Sequence, residues 1–560
     1  MSKKYVLIFL AIFILGAFLR FYRLGEIPIS FHRDEAFLGY NAWSILQTGK
    51  DMNGNFLPLN LQSFIYSPAG YAYFSIPFLK IFGLSVFAVR FASAFFGSLT
   101  ILAVFFLARM LFNDYRHKTA VGLLSSLSLA ISPWHINLCR TATENVLVVF
   151  FLTLGIYLWL VWLRKKKIIF LGLSFVLFFS TLLIYQAPRA FLPLFIPVLI
   201  VASYFKTRFT PKVLFITFIF YFLTILLPLF LVLRSPELSL RLRTVSIFST
   251  AETQLVINQQ LREDGVSGVY GILSRASHNK VMGFLNNFLK NYFDYFSFDF
   301  LFTDKGLPPR YHIPLAGLLS LFELPLILMG IWFILKSKGL SGPLILSWLV
   351  LAPVGSALTF DDIPNLQRAL IVFPMLSLVI ALGANQLIIW VTEKKLLILP
   401  AAVFLLFALY NFSFYLHQYY IHGPLYLPWH RNDGYQKLVS KVNELLPGYS
   451  KAVITNRETA PTIFFLFFGK YDPALFQKET AGTTMKDFDR INFGKYEFSL
   501  EECPLERQTV NCDEKFIEES RQILYVDSAN CLPLPKLVHQ EEEIIRTDNS
   551  AVFRIVECRE

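Results

Sequence analysis

Residues 86–112 read VFAVRFASAFFGSLTILAVFFLARMLF, and the basic cluster Arg116-His117-Lys118 follows. The bilayer core offers no hydrogen-bond partners, so a chain crosses it as a helix of about 20 mostly apolar residues. This run is long enough. Comparable runs lie near 4–22, 118–137, 144–163, 168–185, 189–205, 212–233, 313–335, 342–360, 369–391 and 396–417, which makes about eleven. The shorter run 68–83 reads as a re-entrant or interfacial helix. The first run follows Ser2-Lys3-Lys4, lacks a small-residue cleavage site and continues into Arg20, so it reads as an uncleaved anchor.

Composition agrees. The 560 residues are 55% hydrophobic, 16% aromatic and only 16% charged, against about 25% charged in soluble domains. Mean hydropathy is +0.52. These values exclude a disordered chain, a disulfide mini-scaffold and an ordinary soluble enzyme. The net charge of +12 hides a division: residues 418–560 hold 17 Lys and Arg against 22 Asp and Glu, so the basic excess belongs to residues 1–417. No zinc-finger or RNP-type pattern turns that excess into a nucleic-acid signal. The cations sit instead at alternate loops: Lys3-Lys4, Arg116-His117-Lys118, Arg164 to Lys167, Lys206/Arg208/Lys212, Lys336/Lys338 and Lys394-Lys395. All fall on one side if the N-terminus is cytoplasmic. The connections 23–85 and 234–312, the latter helical and polar, then lie outside, as does the tail. The expected protein is a multi-pass plasma-membrane protein with a membrane domain over 1–417 and an extracytoplasmic domain over 418–560.

The tail has its own pattern. Asn432–Leu446 reads as an amphipathic helix, AVITN (452–456) and ILYVD (523–527) as short buried strands, and AVFRIV around Arg554 as a half-buried strand. The expected fold is an all-α membrane bundle followed by a small α/β domain. Four of the five cysteines, Cys503, Cys512, Cys531 and Cys558, sit in this outer tail, where disulfides persist. Pairing sequence neighbours gives Cys503–Cys512 and Cys531–Cys558, one of three possible arrangements.

Ionisable groups at the outer ends of spans are functional candidates. The first outer loop opens FHRDEAFLGYNAW (31–43), helical in its apolar spacing from Asp34 to Thr48 with a stop at Gly49. Asp34 and Glu35 fall in the first turn, where solvated acids also suit the helix dipole. In Cys139-Arg140-Thr141-Ala142-Thr143-Glu144, Arg140 and Glu144 share a helix face, either as an ion pair or as site residues. Asp361-Asp362 precede Arg368, which opens a span from the outside, against the charge trend. Arg189, Arg310 and His312 are further outer cations; each alone also suits a headgroup contact.

Together they form an outward-facing set of acids and cations above a bundle. A sugar carried on a polyprenyl phosphate needs such a set. Its leaving group is a lipid phosphate, which calls for cations, with Arg offering bidentate binding. Its acceptor needs a carboxylate base, and its lipid chain needs an apolar groove.

The ordered series resembles the GT-C superfamily of integral-membrane glycosyltransferases, and most nearly its protein O-mannosyltransferase and aminoarabinose-transferase group. The Asp34-Glu35 pair, YNAWSILQTGKDMNGNFLP (40–58), FGLSVFAVRFASAFFGSLTIL, SPWHINLCRTATEN and PNLQRALIVFP carry the resemblance, over roughly residues 1–390. It implies that Asp34 accepts the acceptor's proton or orients the nucleophile, with Glu35 its neighbour in the acidic pair. It implies that Glu144 is the second-loop acid, placing the acceptor or a cation, and that Arg368 approaches the lipid phosphate. Arg189 and Arg140 are the other expected phosphate ligands. Inversion at the anomeric carbon follows, with a protein, lipid or cell-envelope glycan as acceptor. Some relatives hold a divalent metal ion on their loop acids, and others do without one. Two departures stand out. Tyr66-Ser67-Pro68-Ala69 replaces the Lys-Pro-Pro of aminoarabinose transferases, and the tail is not the β-trefoil of eukaryotic mannosyltransferases. The competing readings are a lipid or solute transporter or flippase, and a sensor with an outer binding module. Transporters favour inverted repeats and midplane charges, and neither is visible here.

Overall fold

The computed structural model describes residues 2–62, 66–235, 239, 244–249, 251–268, 271–303, 306–337, 339–394, 397–483, 491–505, 523–532 and 538–558. Among them, seven helices are long and apolar enough to cross a membrane: Lys3–Phe21, Val86–Leu111, Glu144–Lys165, Pro188–Thr207, Pro211–Arg234, Leu366–Glu393 and Ile398–His422. Lys118–Ile131 and Pro133–Cys139 make an eighth crossing if counted as one span bent by 58°. The bend falls at Ser132-Pro133, where proline disfavours helical backbone in the residue before it. The other three expected spans are shorter helices: Ile168–Ile184 of 17 residues, Glu323–Lys336 of 14 and Ser341–Leu351 of 11. The chain from 313 stays irregular until the buried Glu323 carboxylate accepts the Ser320 N–H at 2.9 Å and starts a helix. The interfacial run forms the helix Gly70–Phe82. Most of the described part of 234–312 is helical, as its pattern indicated, with Ala251–Val266 and Lys280–Asp294 the longest pieces.

The described residues form two compact units: Met1–Arg20, Phe96–Leu138 and Glu144–Leu416 in one, and Phe21–Phe95, Cys139–Thr143 and His417–Glu560 in the other. The first outer segment thus groups with the tail, although its sequence reads as part of the membrane domain.

In the first unit, small residues let helices approach closely, as membrane packing requires. Gly330 and Gly383 face the backbone carbonyls of Val379 and Leu326, where any Cβ would collide. Arg20, fully buried, closes the C-terminal end of Lys118–Ile131: its guanidinium donates to Leu129 O at 2.9 Å and Ala130 O at 3.2 Å and lies 2.8 Å from His135 Nδ1. Carbonyls orphaned at the bend thereby gain partners.

The second unit contains a two-stranded hairpin, β1 (Asn60–Gln62) and β2 (Tyr66–Pro68), and a five-stranded sheet. The sheet strands are β3 (Lys451–Thr455), β4 (Tyr496–Ser499), β5 (Ile523–Ser528), β6 (Val538–Ile545) and β7 (Ala551–Cys558), in the order β4-β3-β5-β7-β6. β3 runs parallel to both β4 and β5, while β7 is antiparallel to β5 and β6. The helix Tyr435–Leu445 buries Tyr435, Leu438, Val439 and Val442. Arg554 is buried rather than half-buried, because it pairs at 3.2 Å with the fully buried Asp527 on the neighbouring strand.

The disulfide is Cys503–Cys531, so neither expected pair of sequence neighbours forms. Register explains the correction. β4 and β5 flank β3 in the same direction, so their C-terminal ends share one edge, and the two cysteines follow those ends with Cα atoms 5.9 Å apart. Cys512 lies outside the described residues. Peptide mapping without reductant is expected to yield one linked peptide joining Cys503 to Cys531; a Cys503–Cys512 peptide would contradict this register.

Candidate active site

Glu144, Arg189 and Arg368 fall in the first unit. Arg368 lies in the short helix Leu366–Ala369, whose N-cap Asn365 accepts the Arg368 N–H at 2.9 Å. Its guanidinium is buried and faces the Asp361 carboxylate as a fork, with Nη1 to Oδ1 at 2.9 Å and Nη2 to Oδ2 at 2.7 Å. Nη1 also reaches Thr359 Oγ1 at 2.7 Å and the Asp361 carbonyl at 2.9 Å. Gln367 ties this loop to the second acid: its side-chain amide donates to Glu144 Oε2 at 3.0 Å, while Asn145 donates to the carbonyls of Gln367 and Arg368. The Tyr295 phenol accepts the Asn365 N–H at 3.0 Å; burial pushes its pKa up to about 12, with that bond and Arg368 pulling the other way, so it stays protonated at neutral pH.

Beside this loop opens a cavity of about 700 Å³. Leu229, Leu233, Phe248 and Leu358 give it apolar walls, and Arg189, Arg368, Tyr185 and Thr359 add polar groups. Arg189 sits in the first turn of Pro188–Thr207 and donates to Leu182 O from Nε at 3.3 Å and Nη2 at 3.2 Å. A cation at a helix N-terminus opposes the dipole, a sign that its place serves something else. Arg310 stacks over Tyr311, and His312 meets the Gly306 carbonyl, away from this lining.

Asp34, Glu35 and Arg140 fall in the second unit. The helix Arg33–Thr48 is capped by His32, whose Nδ1 accepts the Asp34 N–H at 3.2 Å. The two adjacent acids have opposite surroundings. The Asp34 side chain is 54% exposed, with His32 Nδ1 at 3.4 Å and Arg33 Nε at 3.9 Å. Glu35 is buried and takes four donors: Arg90 Nε and the Ala142 N–H on Oε1 at 3.0 and 2.8 Å, and Arg90 Nη2 and the His32 N–H on Oε2 at 3.0 and 3.3 Å. A carboxylate so filled fastens structure.

Arg140 is likewise engaged. It is fully buried, donates to Tyr22 O at 2.6 Å, Ile27 O at 2.9 Å and Tyr419 Oη at 3.1 Å, and lies over the rings of Tyr419 and Tyr420. The helix breaks over 140–143, so Arg140 and Glu144 share no helix face, and Arg140 is not part of the cavity lining. These bonds fasten the 139–143 segment to Tyr22, Ile27 and Tyr419.

The sequence reading passed over Arg90 and gave Asp361 no role. Arg90 had a signal, since an arginine inside a spanning run is expensive and marks a partner. Among the described residues, no three His, Cys, Asp or Glu side chains gather to hold a metal ion. The Glu35 and Asp361 carboxylates face guanidinium groups instead.

Residues 67–231 match the family model described as dolichyl-phosphate-mannose-protein mannosyltransferase. The chain aligns over 99% of its length, and 98% of the other, with ArnT from Cupriavidus metallidurans, solved in the apo state, at TM-score 0.52 and 12% identity. The two chains share one fold. The same values hold for that protein bound to undecaprenyl phosphate. The apo oligosaccharyltransferase of Archaeoglobus fulgidus is similar in fold at TM-score 0.51 and 12% identity, over 94% of this chain and 70% of that one. An uncharacterized protein of Aquifex aeolicus is 30% identical over 171 residues, spanning 30% of this chain and 31% of its own length. The family match includes Glu144 and Arg189; Asp34 and Arg368 lie outside it.

Proposed function

We propose that this multi-pass membrane protein is a glycosyltransferase that moves a sugar from a polyprenyl-phosphate carrier to an extracytoplasmic acceptor. One observation carries the reading: an apolar cavity of about 700 Å³ with two arginines in its lining, the chemistry a lipid phosphate requires. The match over 67–231 supports it, as does the undecaprenyl phosphate bound to a protein of the same fold. The basic loops support a cytoplasmic N-terminus with both 23–85 and the tail outside.

In this reading, Arg368 and Arg189 hold the donor phosphate, the apolar wall takes the first isoprene units, and Glu144, steadied by Gln367, orients the acceptor. The bond from the anomeric carbon to the phosphate oxygen breaks, and the oxygen leaves with the electron pair. The acceptor oxygen or nitrogen attacks from the opposite face, inverting the centre. Its proton passes to the exposed Asp34 carboxylate. Within the second unit, Glu35 and Arg140 fasten the segments that they bond.

Arg368→Gln removes the charge but keeps a hydrogen-bonding side chain. It is expected to weaken binding of a short-chain polyprenyl phosphate about ten- to hundred-fold, the worth of one charged hydrogen-bond set, as measured on detergent-purified protein. Unchanged affinity in both Arg368→Gln and Arg189→Gln would sink the donor-site assignment.

A further inference from the structure

Resting on that assignment, we infer that Asp361 is a positioning residue that lets the site tell the sugar-loaded carrier from the discharged one and hastens release of the latter. The argument starts from a count of donors. The end-on edge of the Arg368 guanidinium, Nη1 and Nη2, faces the two oxygens of Asp361. Arginine has five N–H donors, so the edge formed by Nε and the second Nη2 hydrogen is still able to meet a phosphate. Thr359 Oγ1, which also lines the cavity, anchors Nη1 and keeps the guanidinium oriented. A phosphate on Arg368 therefore shares its cation with a fixed carboxylate.

The two ligand states differ in charge. The loaded carrier is a phosphate diester with one negative charge. When the glycosidic bond breaks and the proton goes to the base, the carrier becomes a monoester with up to two. A carboxylate on the far side of the same guanidinium repels the second state about twice as strongly. At this separation and an interfacial dielectric, one extra charge is worth about ten-fold in affinity. Asp361 thus weakens binding of the product more than of the donor, where a bare arginine would favour the more highly charged product and slow turnover. Its side chain is 36% exposed, so it can be altered without opening the core.

The test compares two lipids of equal chain length, a polyprenyl monophosphate and its methyl diester, at about pH 8, where a monoester with a second pKa near 6 carries two charges. Asp361→Asn keeps the shape and is expected to tighten the monophosphate about ten-fold more than the diester, while Asp361→Glu retains the discrimination. Equal tightening of both lipids, or none, in a variant that still binds overturns the inference and leaves the donor site standing. Loss of lipid dependence on Arg368 itself, read from Arg368→Gln in the same assay, overturns the donor site as well.

Discussion

Asp34→Asn is expected to cut sugar transfer by about 10²- to 10⁴-fold, the usual contribution of a general base, with expression and melting temperature unchanged. The side chain is 54% exposed, and its own N–H is held by His32 Nδ1, so the amide replaces the carboxylate without disturbing the helix. Binding of a polyprenyl phosphate should be unaltered, because the loss lies in proton acceptance. The measurement is transfer in membranes from cells carrying each variant, read by mass spectrometry of lipids and surface proteins. Full transfer by Asp34→Asn would remove the assigned base, and no glycan difference between cells with and without the gene would remove the enzyme.

The neighbouring acid should behave in the opposite way. Glu35→Ala is expected to lower stability by about 3–5 kcal/mol, because it strands a buried guanidinium whose desolvation has already been incurred. Arg90 is 1% exposed at the side chain and Glu35 8%, and the Ala142 N–H would lose its acceptor too. Thermal unfolding in detergent is the measurement, with Arg90→Ala expected to match it. The double variant Glu35→Gln/Arg90→Met should recover part of the loss, since replacing both members of such a pair is often nearly neutral. A Glu35→Ala protein that melts like the parent but transfers nothing would make Glu35 a chemical rather than a structural residue.

These two residues also show what a sequence can reveal. The helix and its stop were legible, because periodicity and Gly49 are local properties, but the cap by His32 was not. Which of two adjacent acids faces water was not, because about 100° of helix rotation separates them and the deciding partner, Arg90, lies 55 residues away. The partners of Arg140 were hidden for a related reason: the carbonyls of Tyr22 and Ile27 that it meets lie 118 and 113 residues away. The apolar runs all became helices, yet three fell short of a spanning length because hydropathy is blind to the local caps and breaks that set where a helix begins. β3, β5 and β7 were readable from their β-branched content and β4 and β6 were not, whereas the disulfide depended on strand order, which single strands do not carry.

The helix Arg33–Thr48 has one further property. Its supports come from the far end of the chain: Ser30 donates to Asp433 at 2.6 Å, the Arg33 N–H to Asn432 at 3.1 Å, Tyr40 to the Tyr471 carbonyl at 3.0 Å, and Gln477 donates to Ser44 and Thr48. Burial and the nearby Asp472 hold the Tyr40 phenol above its ordinary range, so it remains a donor. A Cβ on Gly39 would come within 2.9 Å of Phe467, so the fit allows no larger residue. Ser30 and Asp433 are 403 residues apart, an interval of about 20–80 s at ordinary elongation rates. A nascent chain thus carries its acidic pair through most of its synthesis on a helix that Arg90 and Ala142 can hold but whose supports from the tail do not yet exist. The order of manufacture places this bracing after synthesis of the apolar helices, so a chain interrupted before the tail would lack the hydrogen bonds that Asn432, Asp433, Tyr471 and Gln477 give this segment.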